Sequence, residues 1–291
     1  MAKVRNAANT IRQGRIGENT WYVRDGVQVV RQRLQNSNYG EGARRSSAQQ
    51  ERRAKWGNLV NFYKAIKSWQ PKAYEALKKG VTDYNAFMQL NANSTPVYLS
   101  RQLVEAGGAV PSAFQVSKGS LSAVALSAAE TPTALTCGTN LAFGSVAGQE
   151  PTWGDYSRSL VNNNQGWLDG DNFAVIVFDF TMDGDVPRVR SRYYEFTVDV
   201  TSTEDMGNFT DILFSVNSNN KIELEDLAGD QASECAFVVI HSRMEGAQLK
   251  VSSASLFMTR DVAASYITPA AKAAAIASYG VDGDVPLAPG A

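Results

Sequence analysis

The apolar residues of this chain follow two different spacings. Between residues 47 and 90 they recur every three or four positions, which is typical of helices that bury one face. Beyond residue 96 they alternate with polar residues or form short continuous runs, which is typical of strands. The spacing predicts an α+β protein. We expect a basic N-terminal β-hairpin and helices, followed by an antiparallel β-sandwich and then a short C-terminal helix and arm.

A β-hairpin is predicted near the N-terminus. Residues 20–24 and 27–31 are rich in β-prone residues, and the dipeptide Asp25-Gly26 separates them. Both positions of a two-residue turn of this kind tolerate a positive φ, so the pattern favours a tight connection. Residues 34–46 carry little aliphatic surface, so we expect an extended connector there. Residues 1–46 are interpreted as a basic arm that contains the hairpin.

The segment 47–96 is interpreted as helical. Ser47 and Gln50 have the spacing of a capping box, in which two side chains satisfy free backbone amides at a helix start. We expect the first helix to end before Pro71, a second helix over 72–79 and a short third helix over 81–90. The apolar face of the first helix is predicted to consist of Trp56, Leu59, Val60, Tyr63 and Ile66.

Residues 97–262 are assigned to the β-sandwich domain. Runs rich in Val, Phe, Ile and Tyr recur there between turn residues, at 112–126, 173–180, 188–200, 211–216 and 235–242. The run at 173–180 is almost continuously apolar, which indicates a strand in the interior of the domain. The alternation in 188–200 places Tyr194, Phe196, Val198 and Val200 on one side of their strand.

Residues 263–291 are interpreted as a C-terminal helix and an extended tail. Thr268 has the position of an N-cap and Pro269 that of the first helical residue. Alanine-rich sequence follows to residue 277, and Gly280 would end the helix. The composition of residues 281–291 predicts an extended arm.

The charge of the chain changes sign along its length. Residues 1–80 have a net charge of +12 and residues 81–291 one of −13, so the two parts cancel to −1. Oppositely charged parts of one chain favour head-to-tail contact between copies, or binding of the basic part to a polyanion. The basic part also contains aromatic residues, a combination found both in protein interfaces and on nucleic-acid surfaces. We favour contacts between subunits and predict that these are made by Trp21, Tyr22, Arg24, Arg31, Arg33, Arg44, Arg45, Arg52 and Arg53.

The sequence predicts no enzyme. Its one histidine, His241, follows an apolar run and is expected at a strand end or in a loop hydrogen bond. A zinc site needs three or four ligands, and a Ser-His-Asp triad needs its histidine beside a nucleophile. A phosphate-binding loop and a dinucleotide fingerprint are absent from the sequence. We therefore predict no catalytic, cofactor-binding or metal-binding residue and no cofactor.

Three smaller features leave alternatives open. The Asp-Gly-Asp sequences at 169–171, 183–185 and 282–284 are predicted to be turns, although paired carboxylates also suit calcium. Cys137 and Cys235 are expected to be free structural thiols, although one disulfide between them is possible. Several aromatic residues near glycines are expected to anchor loops on the core, although they could stack on sugars: Trp153, Tyr156 and Trp167.

Segments at both ends of the chain resemble a known family. The opening contains Gly14, Gly17, an aromatic strand, Gly26 and Val29-Val30-Arg31, and a Ser/Thr-x-x-Gln helix start follows at Ser47. Near the C-terminus, residues 237–243 and 248–255 resemble the last strand pair of the same family. This pattern is similar to an uncharacterised family of Bacteroidetes genomes and their phages, including crAss-like podoviruses. The middle of the chain resembles it poorly, and the proline-rich connector usual after Val-Val-Arg is missing.

The resemblance implies a virion component. We expect a structural, oligomeric ring or connector subunit of a phage neck or tail, made in the host bacterial cytoplasm. Its partners would be copies of itself, other virion proteins such as the portal or adjacent tail rings, and DNA passing through the channel. The alternatives are a nucleic-acid-binding module that uses the basic arm, or a carbohydrate-binding fibre or adhesin. A membrane span is not expected, since no segment approaches the ~20 apolar residues that one requires.

Overall fold

The computed structural model of the protein describes residues 14–16, 19–24, 27–32, 47–70, 73–75, 77, 80–124, 126–128, 135–137, 152–163, 165–205, 212–216, 222–226 and 232–279. The chain divides into two units, and the larger one spans Ser47–Val281. The hairpin belongs to the other unit.

Helices and strands both contribute to the described residues. The helices are α1 (Ser47–Ile66), α2 (Asp83–Asn91), α3 (Arg101–Glu105), α4 (Trp153–Asn163) and α5 (Pro269–Ser278). The strands are β1 (Gly14–Ile16), β2 (Asn19–Arg24), β3 (Val27–Gln32), β4 (Gln115–Ser117), β5 (Leu126–Ala128), β6 (Leu135–Cys137), β7 (Asn172–Asp183), β8 (Val186–Thr197), β9 (Ile212–Val216), β10 (Ile222–Asp226), β11 (Glu234–Glu245), β12 (Gln248–Val251), β13 (Ala254–Ser255) and β14 (Phe257–Met258). Within this part of the chain, no helix has the length and apolar character needed to cross a membrane.

The N-terminal strands form a small antiparallel sheet of order β1-β2-β3. Arg24 of β2 pairs with Val27 of β3, so the predicted hairpin is confirmed. The first strand, β1, was not predicted and pairs with β2. The described side chains of this sheet, at 19–23 and 28–31, are half-buried or exposed, and none of them is buried.

The larger unit is built around a five-stranded antiparallel sheet of order β12-β11-β7-β8, with β14 pairing to β11 beside β12. Strands β7, β8 and β11 each contain 12 residues. A tight turn joins β7 to β8, because Asp183 pairs with Val186 and Gly184 has a φ of +61°. We refer to this as the central sheet.

Both faces of the central sheet are buried. On one face, Phe178 packs against Phe62 of α1, with the ring centroids 5.7 Å apart, in a cluster that also contains Phe87 of α2. On the other face, Val175 and Val177 pack in a cluster with residues of α4. Successive residues of a strand point to opposite faces, so the continuous apolar run of β7 follows from its two covered faces.

Helices and sheet share one core within the larger unit. The cluster that contains Phe62 and Phe87 also contains Val116, Ile176 and Ile240 from beyond residue 96. Residues on both sides of position 96 therefore contribute to one core. A second sheet of order β5-β6-β10-β9 and a two-stranded sheet of β13 and β4 complete the strand pairing, and Leu126 of β5 packs against the α4 cluster. The predicted α+β class is confirmed.

The buried face of α1 differs from the predicted one. Leu59 and Ile66 are buried as expected, whereas Trp56 is 43% exposed. Asn58 and Asn61 occupy part of the buried face instead. The Asn58 amide donates to Val110 O at 2.9 Å, and Asn61 donates to Val104 O and Gly108 O. A pattern based on apolar residues misses such asparagines, because hydrogen bonds compensate the cost of their burial.

The helix predicted over 72–79 is wrong at its described residues 73–75. Tyr74 forms a parallel β-bridge with Lys118, and the Glu75 amide donates to Lys118 O at 3.1 Å. Long-range pairing therefore overrides the local helix propensity of this segment. The helices predicted near 81–90 and 269–278 are confirmed as α2 and α5, with Thr82 and Thr268 as N-caps that accept backbone hydrogen bonds.

Candidate subunit interface

The predicted interface residues lie on two units. Trp21, Tyr22 and Arg24 lie on β2 and Arg31 lies on β3, whereas Arg52 and Arg53 lie on α1. The remaining candidates, Arg33, Arg44 and Arg45, lie outside the described residues.

In the N-terminal sheet, each face carries one aromatic residue. Trp21 pairs across the strands with Val30, and Tyr22 pairs with Val29. Neighbouring residues of a strand point to opposite faces, so the two aromatic side chains lie on opposite faces. Both are only half-buried. The sheet therefore presents apolar surface on both faces, next to the exposed Arg31.

The solvent face of α1 combines an aromatic residue with arginines. Trp56 is 43% exposed, and Arg52 and Arg53 are exposed one turn before it. Val60, one turn after Trp56, is half-buried. Residues three and four positions apart are neighbours on a helix surface, so these side chains form one stripe. We call these four residues the α1 face.

The acidic residue of α1 does not neutralise these arginines. Glu51 Oε2 lies 3.0 Å from Lys272 Nζ, and Glu51 Oε1 accepts a hydrogen bond from Tyr98 Oη at 3.2 Å. The hydrogen bond from Lys272 lowers the pKa of Glu51 despite the opposing effect of burial. Glu51 therefore links α1 to α5, and no carboxylate among the described residues forms an ion pair with Arg52 or Arg53.

A buried polar network around His241 is the arrangement that most resembles a catalytic site. His241 Nε2 lies 2.7 Å from Asp171 Oδ2, and its Nδ1 lies 3.0 Å from Ser122 O. Arg243 donates from Nε to Asp171 Oδ1 and from Nη2 to Asp171 Oδ2, both at 2.6 Å. The indole of Trp167 stacks on the imidazole, with centroids 3.6 Å apart and an interplanar angle of 10°.

The geometry of this network is structural. Both ring nitrogens of His241 face oxygen atoms, those of Ser122 and Asp171. Neither nitrogen faces a hydroxyl or thiol, so His241 cannot act as the base of a nucleophilic triad in this arrangement. Burial raises the pKa of Asp171, but hydrogen bonds from Arg243, His241 and the Leu168 amide outweigh it and lower the pKa to about 2. Asp171 is therefore an anion held by Arg243, His241 and the Leu168 amide.

His241 corrects one prediction from the sequence. It lies in the interior of β11 and is fully buried, and not at a strand end. The alternative expectation of a loop hydrogen bond is confirmed by its contacts with Ser122 O and Asp171. Sequence reasoning missed the network, although His241 and Arg243 are two positions apart and so share one face of their strand. Two basic residues on a buried face require a carboxylate partner.

The Asp-Gly-Asp sequences behave as turns where they are described. Gly170 has a φ of +85°, and its amide donates to Val198 O at 2.8 Å, which fixes the turn before β7. The sequence at 183–185 forms the turn between β7 and β8. The sequence at 282–284 lies outside the described residues. Among the described residues, no group of three or more His, Cys, Asp or Glu residues is placed to hold a metal ion.

The aromatic residues considered for sugar binding are in the core. Trp153, Tyr156 and Trp167 are 4%, 0% and 3% exposed, respectively, and belong to the cluster on the α4 side of the central sheet. Trp153 and Tyr156 lie in α4 and not in a loop. The expectation that these residues anchor the core is confirmed, and their rings offer no stacking platform for a sugar.

Cys235 is a free and fully buried thiol. Its Sγ donates to Phe178 O at 3.3 Å, and burial raises its pKa to about 12. The possible disulfide with Cys137 is therefore not formed. The side chain of Cys137 lies outside the described residues.

No protein-family model, curated protein or solved structure matches this chain. The resemblance to a phage family consequently stays a prediction.

Proposed function

We propose that the protein is a structural subunit that assembles with copies of itself through its basic N-terminal part. The observation that carries this proposal is the N-terminal sheet. Its three described strands pair in the order β1-β2-β3, yet none of their described side chains is fully buried. A small sheet needs a hydrophobic face, or a helix packed against it, to be stable in water. The half-buried Trp21 and Tyr22 supply that surface on opposite faces.

Charge supports a second copy of the chain as the packing partner. The N-terminal part carries +12 and the remainder carries −13, so an acidic surface is available on every neighbouring subunit. Charge complementarity of this kind speeds association and fixes orientation. Because the two partners are different surfaces of one chain, repeated contacts produce a ring when the rotation closes.

The particle in which such a ring would serve is proposed from the resemblance of both termini to the phage family. The subunit would form a ring or connector of the neck or tail, next to the portal or other tail rings. The acidic character of residues 81–291 would suit a conduit for DNA, since carboxylates repel phosphates and would let the genome pass.

Native mass spectrometry of the full chain tests the assembly. We expect oligomers at low salt that dissociate as salt rises, because exposed charges are screened. Replacing Trp21 and Tyr22 together by alanine should weaken assembly, whereas Met182→Ala should not, although Met182 is also 51% exposed. A monomer at micromolar concentration at both salt levels would contradict the proposal.

A nucleic-acid-binding module is the second candidate. The exposed Trp56 beside Arg52 and Arg53 favours it, because aromatic stacking and cationic side chains together bind single strands. In that case log K should fall with log salt at a slope of about −0.9 per phosphate neutralised on duplex DNA. Strong DNA binding by the assembled oligomer, with that slope, would favour this candidate. Weak binding confined to the monomer would favour subunit contacts.

A further inference from the structure

We propose that the α1 face docks onto an acidic surface of the next copy of the chain, at the N-terminal end of α4. This inference rests on the proposed function and names the two surfaces that meet. The acidic surface consists of carboxylates around the turn that follows β8, and we call it the acidic corner: Asp155, Asp169, Asp199, Glu204 and Asp205.

Backbone contacts hold the acidic corner together. The Trp153 amide donates to Glu204 O at 2.7 Å, and Thr152 forms a β-bridge with Asp205. Asp169 Oδ1 accepts a hydrogen bond from the Val200 amide at 3.0 Å, which brings the turn before β7 to the same place. The corner is thus fixed to α4 and to the central sheet.

The charge of the corner faces solvent. Asp169, Asp199, Glu204 and Asp205 are exposed. Among the described residues, Arg158 is the cation that forms an ion pair with this surface, and its partner is Asp155. Leu168, directly before Asp169, is 53% exposed. The corner therefore offers carboxylates around an apolar side chain.

The α1 face has the complementary chemistry. It presents Trp56 with Arg52 and Arg53 one turn away. Tryptophan and arginine are the residues most enriched among those that dominate binding energy. Arginine also pairs with carboxylates through two parallel hydrogen bonds, which gives orientation as well as affinity. In the docked arrangement, the indole of Trp56 would pack against Leu168. Arg52 and Arg53 would pair with the carboxylates around it.

The two patches cannot meet within one subunit. Helix α1 packs against one face of the central sheet through Phe62, and α4 packs against the other through Tyr156 and Leu160. The sheet and both core clusters therefore separate them. Contact between the patches joins two copies head to tail, and each copy keeps one patch free for the next.

Charge reversal on each patch and on both together tests the docking in the full chain. The first variant is Arg52→Glu/Arg53→Glu, and the second is Glu204→Lys/Asp205→Lys. Each places like charges on the two docking patches. We expect each variant to associate at least ~30-fold more weakly than the wild type, the loss typical of a disrupted interface hot spot. The quadruple variant restores opposite charges and should assemble again.

Matched controls carry the same charge changes elsewhere on the same unit. Lys118→Glu/Arg190→Glu and Asp185→Lys/Asp261→Lys alter exposed residues outside both patches and should assemble like the wild type. Trp56→Ala removes an exposed ring without changing charge and should also weaken association by ~30-fold. This variant reports on the docking even where a charge reversal perturbs folding.

The outcomes separate this inference from the proposed function. If the wild type assembles and both charge-reversal variants and Trp56→Ala assemble equally well, the docking is wrong while self-assembly stands. A folded quadruple variant that stays monomeric also overturns the pairing of these two patches. A wild type that is monomeric at low and at high salt overturns both proposals.

Discussion

The N-terminal sheet and the central sheet are both antiparallel, but they differ in what covers them. The central sheet has α1 and α2 on one face and α4 on the other, and its strands β7 and β11 are buried along most of their length. In the N-terminal sheet no described side chain is buried. The comparison shows that strands can form a hydrogen-bonded sheet without burying their side chains in a core. The described side chains of the N-terminal sheet show strand pairing without full burial, so we expect its stability to depend partly on another surface.

Truncation in the core of the central sheet is expected to have the largest effect. Phe178 is fully buried and contacts the rings of Phe62 and Trp69. Phe178→Ala should lower the free energy of unfolding by about 3–5 kcal/mol, because it removes apolar contacts and leaves a cavity. Urea denaturation at high salt measures this loss. A decrease below ~1 kcal/mol would show that the central sheet is not the core of the unit.

The next largest effect is expected in the hydrogen-bond network of His241, Asp171 and Arg243. Asp171→Asn removes the charge that Arg243 and His241 share, and should destabilise the larger unit by about 3 kcal/mol, as expected for breaking a buried ion pair. Asp169→Asn is the matched control, since Asp169 is exposed and its amide replacement can still accept from the Val200 amide. Equal destabilisation by both variants would contradict the role given to Asp171.

Acid should act on the central sheet through the same carboxylate. The pKa of Asp171 is lowered from 3.8 to about 2 in the folded protein, so its ionised form stabilises the fold. This stabilisation is complete above about pH 4 and is lost as pH falls towards 2, at a cost of about 2 kcal/mol. Glu75, whose pKa is lowered to about 2 chiefly by a hydrogen bond from Lys250, should add to the loss.

Denaturation midpoints between pH 5 and pH 2 measure this dependence. Asp171→Asn should flatten the curve but leave the part due to Glu75. An unchanged pH dependence in that variant would mean that other carboxylates account for it.

The smallest effect is expected in the N-terminal sheet. In the dissociated subunit, Tyr22→Ala should change the free energy of unfolding of the larger unit by less than ~0.5 kcal/mol, since Tyr22 lies outside its core clusters. Hydrogen exchange should be fast in β2 and β3 of the dissociated subunit and slower in the assembled form. Protection that is equal in both forms would indicate that this sheet needs no neighbour.

The sequence predicted the local elements well, because they depend on nearby residues. The hairpin of β2 and β3, the helix that begins at Ser47 and the N-cap Thr268 require only neighbouring groups. The strands of the central sheet were also predicted, because their continuous runs of Val, Phe, Ile and Tyr are typical of buried strands. These are the parts of the fold where local preference and tertiary structure agree.

What the sequence did not predict depends on long-range contacts. Tyr74 leaves a helix-favouring segment to pair with Lys118, and Asn58 is buried because Val110 offers it backbone partners 52 residues away. The exposure of Trp56 follows from this shift of the buried face. The network of His241 joins residues from three separate segments. The spacing of apolar residues and short sequence motifs do not show which distant residues come into contact.

For the candidate interface, the sequence predicted the residue types but only some of the positions. The chain was expected to expose arginines with aromatic residues, and Arg31, Arg52 and Arg53 are exposed. Trp56 was assigned to the core, so the aromatic centre of the α1 face was missed. The acidic corner was also missed, because its carboxylates come from segments that the fold brings together.

The thiol of Cys235 has a practical consequence for measuring how this protein opens. With Sγ fully buried and its pKa raised to about 12, the reactive thiolate is almost absent at neutral pH in the folded unit. An alkylating reagent can modify this position only when β11 separates from β7. In a Cys137→Ser variant, the rate of alkylation would therefore measure how often the central sheet opens under native conditions.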